Sequence, residues 1–241
     1  MSFLARRATD AVEEMDRPDC DPATLRRTYS QFALVNRAVS GWRRAYLRQL
    51  RPRLAAAAAG GPQRPATLLD IGCGAGDVAR SLARWAAADG LPLAITAIDP
   101  DERAYAYAAS RPAVPGLAFR QAFSSELVAE GARYDVVISN HILHHLSPSE
   151  LEGLLADSRA LCGSLALHSD IARSALAYVL FAARTLPFFH RSYIRRDGLP
   201  SIRRSYTAGE LRRAVPPEWK VVQDSVFRTH LVFEPPAAPR A

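Results

Sequence analysis

The chain has 241 residues, of which 49% are hydrophobic and 23% charged, and its formal net charge is +7. This length suits one substantial α/β domain with added elements rather than two full domains, and the apolar content excludes a disordered chain. Most basic residues are arginines scattered among alanines in predicted helices, without the basic stripe and interleaved aromatics of a nucleic-acid-binding surface.

Cysteine usage and hydropathy bear on the compartment. Cys20, Cys73 and Cys162 show no metal-ligand spacing and suit a reducing environment. The first residues lack the apolar core of a signal peptide, and no apolar run reaches the roughly 18 residues of a membrane span. The sequence therefore predicts a cytoplasmic protein without stable membrane insertion.

The amino-terminal part favours helices. Residues 1–20 are polar and predict a loosely ordered segment. From Ala23 to Leu50 apolar residues recur at helical spacing, and Gly41 predicts a division into two helices. Residues 55–61 are interpreted as a linker, followed by prolines that stop any helix.

Strand and helix patterns then alternate, which predicts right-handed crossovers and a parallel sheet. An apolar segment (172–189) and an arginine-rich polar stretch (195–207) follow, and the chain ends in two further strands. The predicted strands are 67–71, 93–98, 117–123, 134–139, 164–168, 221–227 and 230–233, and the predicted helices are 77–88, 102–110, 147–161 and 208–214.

The string LLDIGCGAGD, from Leu68 to Asp77, is the most informative motif. It predicts a buried strand, a glycine turn and a helix, an arrangement that points backbone N–H groups and a positive helix end at a polar ligand. The dinucleotide fingerprint G-x-G-x-x-G needs a third glycine where Asp77 stands, so a nicotinamide oxidoreductase is disfavoured. Asp70, at the end of the strand, suits a ligand with a positively charged amine.

This D-x-G-x-G-x-G string resembles motif I of the class I S-adenosylmethionine (SAM) methyltransferases. The resemblance implies that the turn holds the aminoacyl part of SAM, with Asp70 facing its ammonium group. Asp99 closes the second strand and can accept both ribose hydroxyls, although it can also cap the following helix. The cofactor-binding residues implied are Asp70, Gly72, Cys73, Gly74, Gly76, Asp99, Pro100, Phe123, Ser124 and Asn140.

The third strand shows a departure from this family. Phe123 and Ser124 stand where an acidic residue often contacts the adenine amine. An aromatic face can stack on adenine and a hydroxyl can bond its edge, and Glu126 is close enough to be a substitute for the acid.

The string SNHILHHL, from Ser139 to Leu146, places three histidines beyond the fourth strand, at the sheet edge where ligands bind. His168 and Asp170 follow near the end of the fifth strand. A histidine can remove a proton from an attacking hydroxyl while an aspartate orients it. The segment resembles that of small-molecule O-methyltransferases, which implies His145 or His144 as the base, with Asp170 as its partner.

A metal site is the competing interpretation of this string. On a helix, His141, His144 and His145 would share one face. In the quinone-pathway O-methyltransferases the matching segment holds two glutamates and a histidine that bind magnesium, whereas imidazoles suit zinc or iron better. We therefore predict no metal.

The stretch from Thr28 to Arg44 resembles the entry helices of the ubiquinone/menaquinone methyltransferase group. This predicts a helical cap over residues 1–60 and a SAM-binding domain over 61–241 with a cap insertion at about 172–205. The substrate-lining residues implied are Tyr29, Phe32, His141 and Phe181.

The fold class predicted is α/β, a Rossmann-like, seven-stranded, mostly parallel sheet with an antiparallel carboxy-terminal hairpin. The function predicted is SAM-dependent O-methylation of a small hydrophobic phenolic or quinol-like molecule. C-methylation of an aromatic or quinone ring and a non-catalytic SAM-binding module remain the alternatives.

Overall fold

A computed structural model describes residues 2–59, 64–185 and 191–236 of the chain. Its centre is one seven-stranded sheet with the order β3-β2-β1-β4-β5-β7-β6. The pairings among β1 to β5 are parallel, whereas β7 pairs antiparallel with β5 and β6. The strands are β1 (Ala66–Ile71), β2 (Leu93–Ile98), β3 (Leu117–Arg120), β4 (Tyr134–Asn140), β5 (Cys162–Ile171), β6 (Lys220–Ser225) and β7 (Arg228–Phe233).

Helices cover both faces of the sheet and the carboxyl ends of its strands. They are α1 (Pro22–Val39), α2 (Trp42–Ala45), α3 (Arg51–Ala59), α4 (Asp77–Ala88), α5 (Glu102–Ala109), α6 (Ser124–Ala129), α7 (Pro148–Leu161), α8 (Ala175–Thr185), α9 (Ile194–Arg204) and α10 (Ala208–Ala214). A π-helical turn at Tyr46–Leu50 joins α2 to α3.

The predicted fold class is confirmed, and the bounds of α4, β2 and α10 agree with the sequence pattern. The predicted strand at 117–123 is too long, because the backbone N–H of Phe123 is accepted by the Glu126 carboxylate, which begins α6 instead. The linker predicted at 55–61 is helical as far as Ala59, as its alanines favour; Gly60 and Gly61 lie outside the described residues.

The arginine-rich stretch is also helical, although it contains Gly198 and Pro200. Gly198 lies against the ring of Phe181 on α8, where any Cβ would clash. Packing against α8 therefore outweighs the low helix propensity of these residues. Residues Phe188 and Phe189 of the predicted apolar segment lie outside the described residues.

The prediction of a loosely ordered amino-terminal segment is wrong for its middle part. The backbone N–H of Ala8 donates to the carbonyl of Arg203 at 3.0 Å, and the Arg7 guanidinium donates to the carbonyl of Arg204 at 2.6 Å. Farther along this segment, the side chain of Glu13 is buried. Polar composition concealed this packing, because the partners are backbone carbonyls of α9.

Candidate active site

A cavity of about 1340 Å³ opens at the carboxyl ends of β1, β2 and β4. Parallel strands bring these ends to one edge, as the sequence analysis expected. All but two of the predicted site residues line the cavity. The exceptions are Asp170, which lies behind His144, and Gly76, whose missing side chain makes room for the Phe119 ring rather than for a ligand.

The glycine turn has the conformation that its residues predict. Gly72, Gly74 and Gly76 have φ values of 66°, 53° and 71°, in the left-handed region. A Cβ on Gly72 would lie 2.8 Å from the Ile142 side chain, whereas a Cβ on Gly74 would meet no atom within 4 Å. Gly74 therefore leaves its backbone open to a ligand in the cavity.

Asp70 is the most unusual carboxylate of the site. It is 1% exposed, and neither of its oxygens has a hydrogen-bond partner among the described residues. Burial raises the pKa of Asp70 well above its ordinary value, and the nearby Asp77 and Asp99 raise it further. A buried carboxylate without a partner is costly for the protein and suits a cationic ligand.

Asp99 does not cap the following helix. Its Oδ2 accepts the backbone N–H of Gly74 at 2.8 Å and its Oδ1 accepts that of Asp101 at 3.0 Å. The cap of α5 is Asp101, whose carboxylate accepts the N–H of Arg103. Asp99 thus ties the glycine turn to the end of β2, beside Pro100 at the cavity wall.

The first two helices contact the same edge. The Asn36 amide of α1 donates to the buried carboxylate of Asp77 at 2.9 Å. The Trp42 indole of α2 donates to the side-chain oxygen of Asn140 at 2.8 Å. Neither contact was predictable from sequence, because each joins residues distant in the chain.

In the loop after β3, Glu126 was the predicted substitute for the acid near adenine, but it is not among the residues that line the cavity. Its carboxylate accepts the backbone N–H of Phe123 at 2.7 Å. Ser124 donates its hydroxyl proton to Asp157 of α7 at 2.6 Å, and both residues line the cavity. The ring of Phe123 is 61% exposed. The acid beside this loop is therefore Asp157, which the sequence analysis did not identify.

The segment after β4 is a loop, so the helical face required by the metal interpretation does not exist. His141 has a φ of 59°, and its backbone N–H donates to the carbonyl of Ser169 at 2.8 Å. Burial lowers the pKa of His141 to about 4. Its imidazole is therefore neutral at physiological pH.

His144 is the histidine that pairs with Asp170. Its Nδ1 lies 2.7 Å from the Asp170 Oδ1, and both side chains are buried. Burial lowers the pKa of His144, but Asp170 and Glu13 raise it more, to about 9. Burial raises the pKa of Asp170, but His144 keeps it below its ordinary value. An ionised carboxylate only accepts, so Nδ1 carries a proton, and Nε2 on the opposite edge of the ring lies 3.6 Å from the Glu13 carboxylate.

His145, the other candidate base, does not contact Asp170. Its Nδ1 lies 3.1 Å from the Asp16 carboxylate, and its ring lies 4.2 Å from that of His144 between centroids. The predicted pairing with Asp170 therefore applies to His144 and not to His145. His168, farther inside, hydrogen-bonds to the Ser139 hydroxyl at 2.7 Å.

Ligand atoms of Glu13, His144 and His145 lie within 4.8 Å of one another. The bond from His144 Nδ1 to Asp170 is compatible with a metal at Nε2. Binding there would, however, displace a proton held at a pKa of about 9. We assign no metal to this group and interpret it as a hydrogen-bonding cluster.

Helices α1 and α8 form the apolar wall of the cavity. Tyr29 is buried with its ring 5.9 Å from that of Phe32 and 5.2 Å from that of Tyr107. Phe181 approaches from α8.

Among the residues that the structure describes, no helix combines the length and the apolar character needed to cross a membrane.

Residues 68–163 match the family model described as "Methyltransferase domain". The ubiquinone biosynthesis O-methyltransferase of Caulobacter vibrioides is 40% identical over 93 residues, which are 37% of this chain and 34% of the relative. That of Caulobacter sp. strain K31 is 37% identical over 83 residues, 33% of this chain and 31% of the relative. The chain thus spans about a third of the length of these curated relatives.

Solved structures share the fold over most of the chain. The plantazolicin methyltransferase BpumL in complex with SAH has a TM-score of 0.55 and 12% identity, covering 88% of this chain and 95% of that one. The magnesium protoporphyrin IX methyltransferase ChlM from Synechocystis PCC 6803 with bound SAM has a TM-score of 0.50 and 15% identity, covering 92% and 97%.

Residues 68–163 thus resemble a methyltransferase domain, and the chain shares its fold with solved methyltransferases that contain SAM or SAH. Two features of the site fit SAM. Asp70 offers an unpartnered carboxylate to its ammonium group, and Gly74 leaves open the space that a side chain would fill.

Proposed function

We propose that this protein transfers the methyl group of SAM to the hydroxyl oxygen of a small hydrophobic, phenolic or quinol-like molecule in the cytoplasm. The observation that carries this proposal is the contact of 2.7 Å between Asp170 and His144, at the edge of the cavity that holds the glycine turn. A module that only binds SAM would have no use for this pair.

The cofactor supplies a methyl group on a positively charged sulfur, so the protein has to orient the acceptor and remove its proton. Asp170 fixes the orientation of the His144 ring and stabilises the imidazolium, and the neutral form of His144 takes the hydroxyl proton at Nε2. Asp70, the glycine turn, Asp99, Phe123, Ser124 and Asn140 are the proposed contacts to the cofactor.

The apolar wall of the cavity and the proposed base, His144, indicate which class of acceptor the site suits. Tyr29, Phe32 and Phe181 present aromatic surface to the cavity, which suits an aromatic or alkyl-bearing acceptor. The neutral form of a base with a pKa of about 9 can take the proton of a phenolic hydroxyl, whose pKa is about 10, in a nearly balanced transfer, so turnover should rise with pH toward 9. The apolar part of the acceptor would lie against α1 and α8.

A panel of phenols and quinols incubated with methyl-labelled SAM tests the proposal. We expect label on an oxygen of one class of acceptor, and label on a ring carbon would show C-methylation instead. His144→Gln is expected to reduce turnover about 100-fold or more while SAM still binds by calorimetry. A comparable loss in His145→Gln but not in His144→Gln would move the base to His145.

A further inference from the structure

The amino-terminal segment is clamped to α9 on both sides of Glu13. On one side, the N–H of Ala8 donates to the carbonyl of Arg203 at 3.0 Å. On the other, the Asp197 carboxylate accepts the backbone N–H groups of Glu14 and Met15 at 2.8 and 3.0 Å. These bonds fix the backbone of Glu13, so its side chain has a defined place in the cavity wall.

The Glu13 carboxylate lies against the free edge of the His144 ring. Its Oε1 is 3.6 Å from His144 Nε2, 3.8 Å from His145 Nε2 and 3.8 Å from the Arg204 guanidinium. Glu13 is 3% exposed, and neither its Oε1 nor His144 Nε2 has a hydrogen-bond partner among the described residues. Asp170 occupies the opposite edge of the ring, so His144 lies between two buried carboxylates.

We propose that Glu13 is a positioning residue, which stabilises the protonated form of His144 from the side opposite Asp170 and thereby makes this histidine a stronger base. The inference rests on the proposed function where it treats His144 as the base. The contact itself is a property of the protein without substrate, and it can be tested as such.

Glu13 is ionised in this arrangement. Burial raises the pKa of Glu13, but His144 and His145 lower it more, so that it lies below its ordinary value. Because Oε1 and Nε2 lie 3.6 Å apart, one hydroxyl oxygen could lie within hydrogen-bond distance of both atoms. Nε2, once it has lost its own proton to solvent, would take the acceptor's hydroxyl proton. The oxygen would keep the electron pair that bonds to the methyl carbon as the carbon–sulfur bond breaks.

Other charged or titratable groups surround the contact between Glu13 and His144, and they stay unchanged in the test below. They are Asp170 of β5, Asp16 and Arg7 of the amino-terminal segment, His141 and His145 of its own loop, and Arg204 of α9.

The test measures the titration of His144 directly. The protein contains six histidines, so side-chain NMR signals can be resolved, and the His144 signal is assigned by its loss in His144→Gln. In chelator-treated protein without cofactor, Glu13→Gln should lower the pKa of His144 by about one unit or more, because one of two facing charges is removed. Circular dichroism checks that the variant is folded.

Glu14→Gln is the matched control, since it removes the same charge one residue away on a side chain that does not line the cavity. It should leave the titration of His144 unchanged. An unmoved titration in Glu13→Gln, or an equal shift in both variants, would overturn the proposal.

Kinetics separate this inference from the proposed function. With a phenolic acceptor, the pH dependence of turnover in Glu13→Gln should move toward acid by about one unit, as the titration does. If no phenol or quinol is methylated but the titration shifts, the proposed function fails and the role of Glu13 stands. If phenols are methylated and neither measurement shifts, Glu13 has no such role.

Discussion

Stability should depend on pH through His144 in a way that one substitution reveals. The pKa of a histidine is about 6.5 in an unfolded chain, whereas that of His144 in the folded protein is about 9. Between these values the folded state binds more protons than the unfolded one, so the free energy of unfolding falls as pH rises. The difference in pKa corresponds to about 3 kcal/mol, present in full below about pH 6.5 and lost by about pH 9.

His144→Gln removes this contribution, and urea unfolding at a series of pH values measures it. The difference in unfolding free energy between wild type and His144→Gln should shrink by about 3 kcal/mol from pH 6.5 to 9. The thiols of Cys73 and Cys162 have raised pKa values and affect stability in the same range. They do so in both proteins, so they cancel in the difference.

His168→Gln is the control, because it changes another fully buried histidine. Burial lowers the pKa of His168 to about 3, so this residue is neutral in both folded and unfolded chains above about pH 7.5. Its difference from wild type should therefore be constant from there to pH 9. If the difference in unfolding free energy between wild type and His144→Gln is also constant over this range, His144 is not held in its protonated form between two carboxylates.

Three further predictions concern the cofactor turn and the clamp. Asp70→Asn should weaken SAM binding about 10- to 100-fold by calorimetry, because a charge-assisted contact is lost. It should also raise the unfolding free energy of the cofactor-free protein at pH 7, because an unpartnered buried carboxylate is removed. Unchanged affinity would contradict the assignment of Asp70 to the cofactor. Gly74→Ala should weaken SAM binding measurably more than Gly90→Ala. Gly90 has the same kind of positive φ and open surroundings as Gly74, but it lies outside the cavity. Equal effects of the two substitutions would attribute the loss of affinity to backbone strain alone. Asp197→Asn should speed amide hydrogen exchange at Glu14 and Met15, since one charged acceptor of their N–H groups becomes neutral; unchanged exchange would show that Asp197 does not hold the segment.

The cofactor edge was predictable from sequence because its signals are local. Glycines at 72, 74 and 76 are needed by a turn with positive φ, and Asp70 and Asp99 stand at strand ends that parallel pairing brings together. Among the predicted cofactor residues, only Gly76 does not line the cavity. Its spacing in the motif is the same whether it faces a ligand or, as found, the Phe119 ring.

The acceptor side was less predictable because its contacts join distant parts of the chain. Glu13 lies in a polar stretch, and nothing in its neighbours distinguishes it from the exposed Asp10 or from Glu14. It is buried because α9 hydrogen-bonds to the backbone on either side of it. The helix α9 was itself hard to predict, because its sequence contains a glycine and a proline. Asp157 was missed for the same reason, since its partner Ser124 lies 33 residues earlier.

The amino-terminal residues therefore do more than cover the strand ends. Glu13 faces the proposed base, Asn36 holds Asp77 at the start of α4, and Trp42 holds Asn140 at the end of β4. Because one continuous stretch contacts both the cofactor turn and the acceptor side, its placement couples the two halves of the cavity. A change that detaches this stretch should affect cofactor affinity and the titration of His144 together, whereas Asp70→Asn acts on the cofactor side alone.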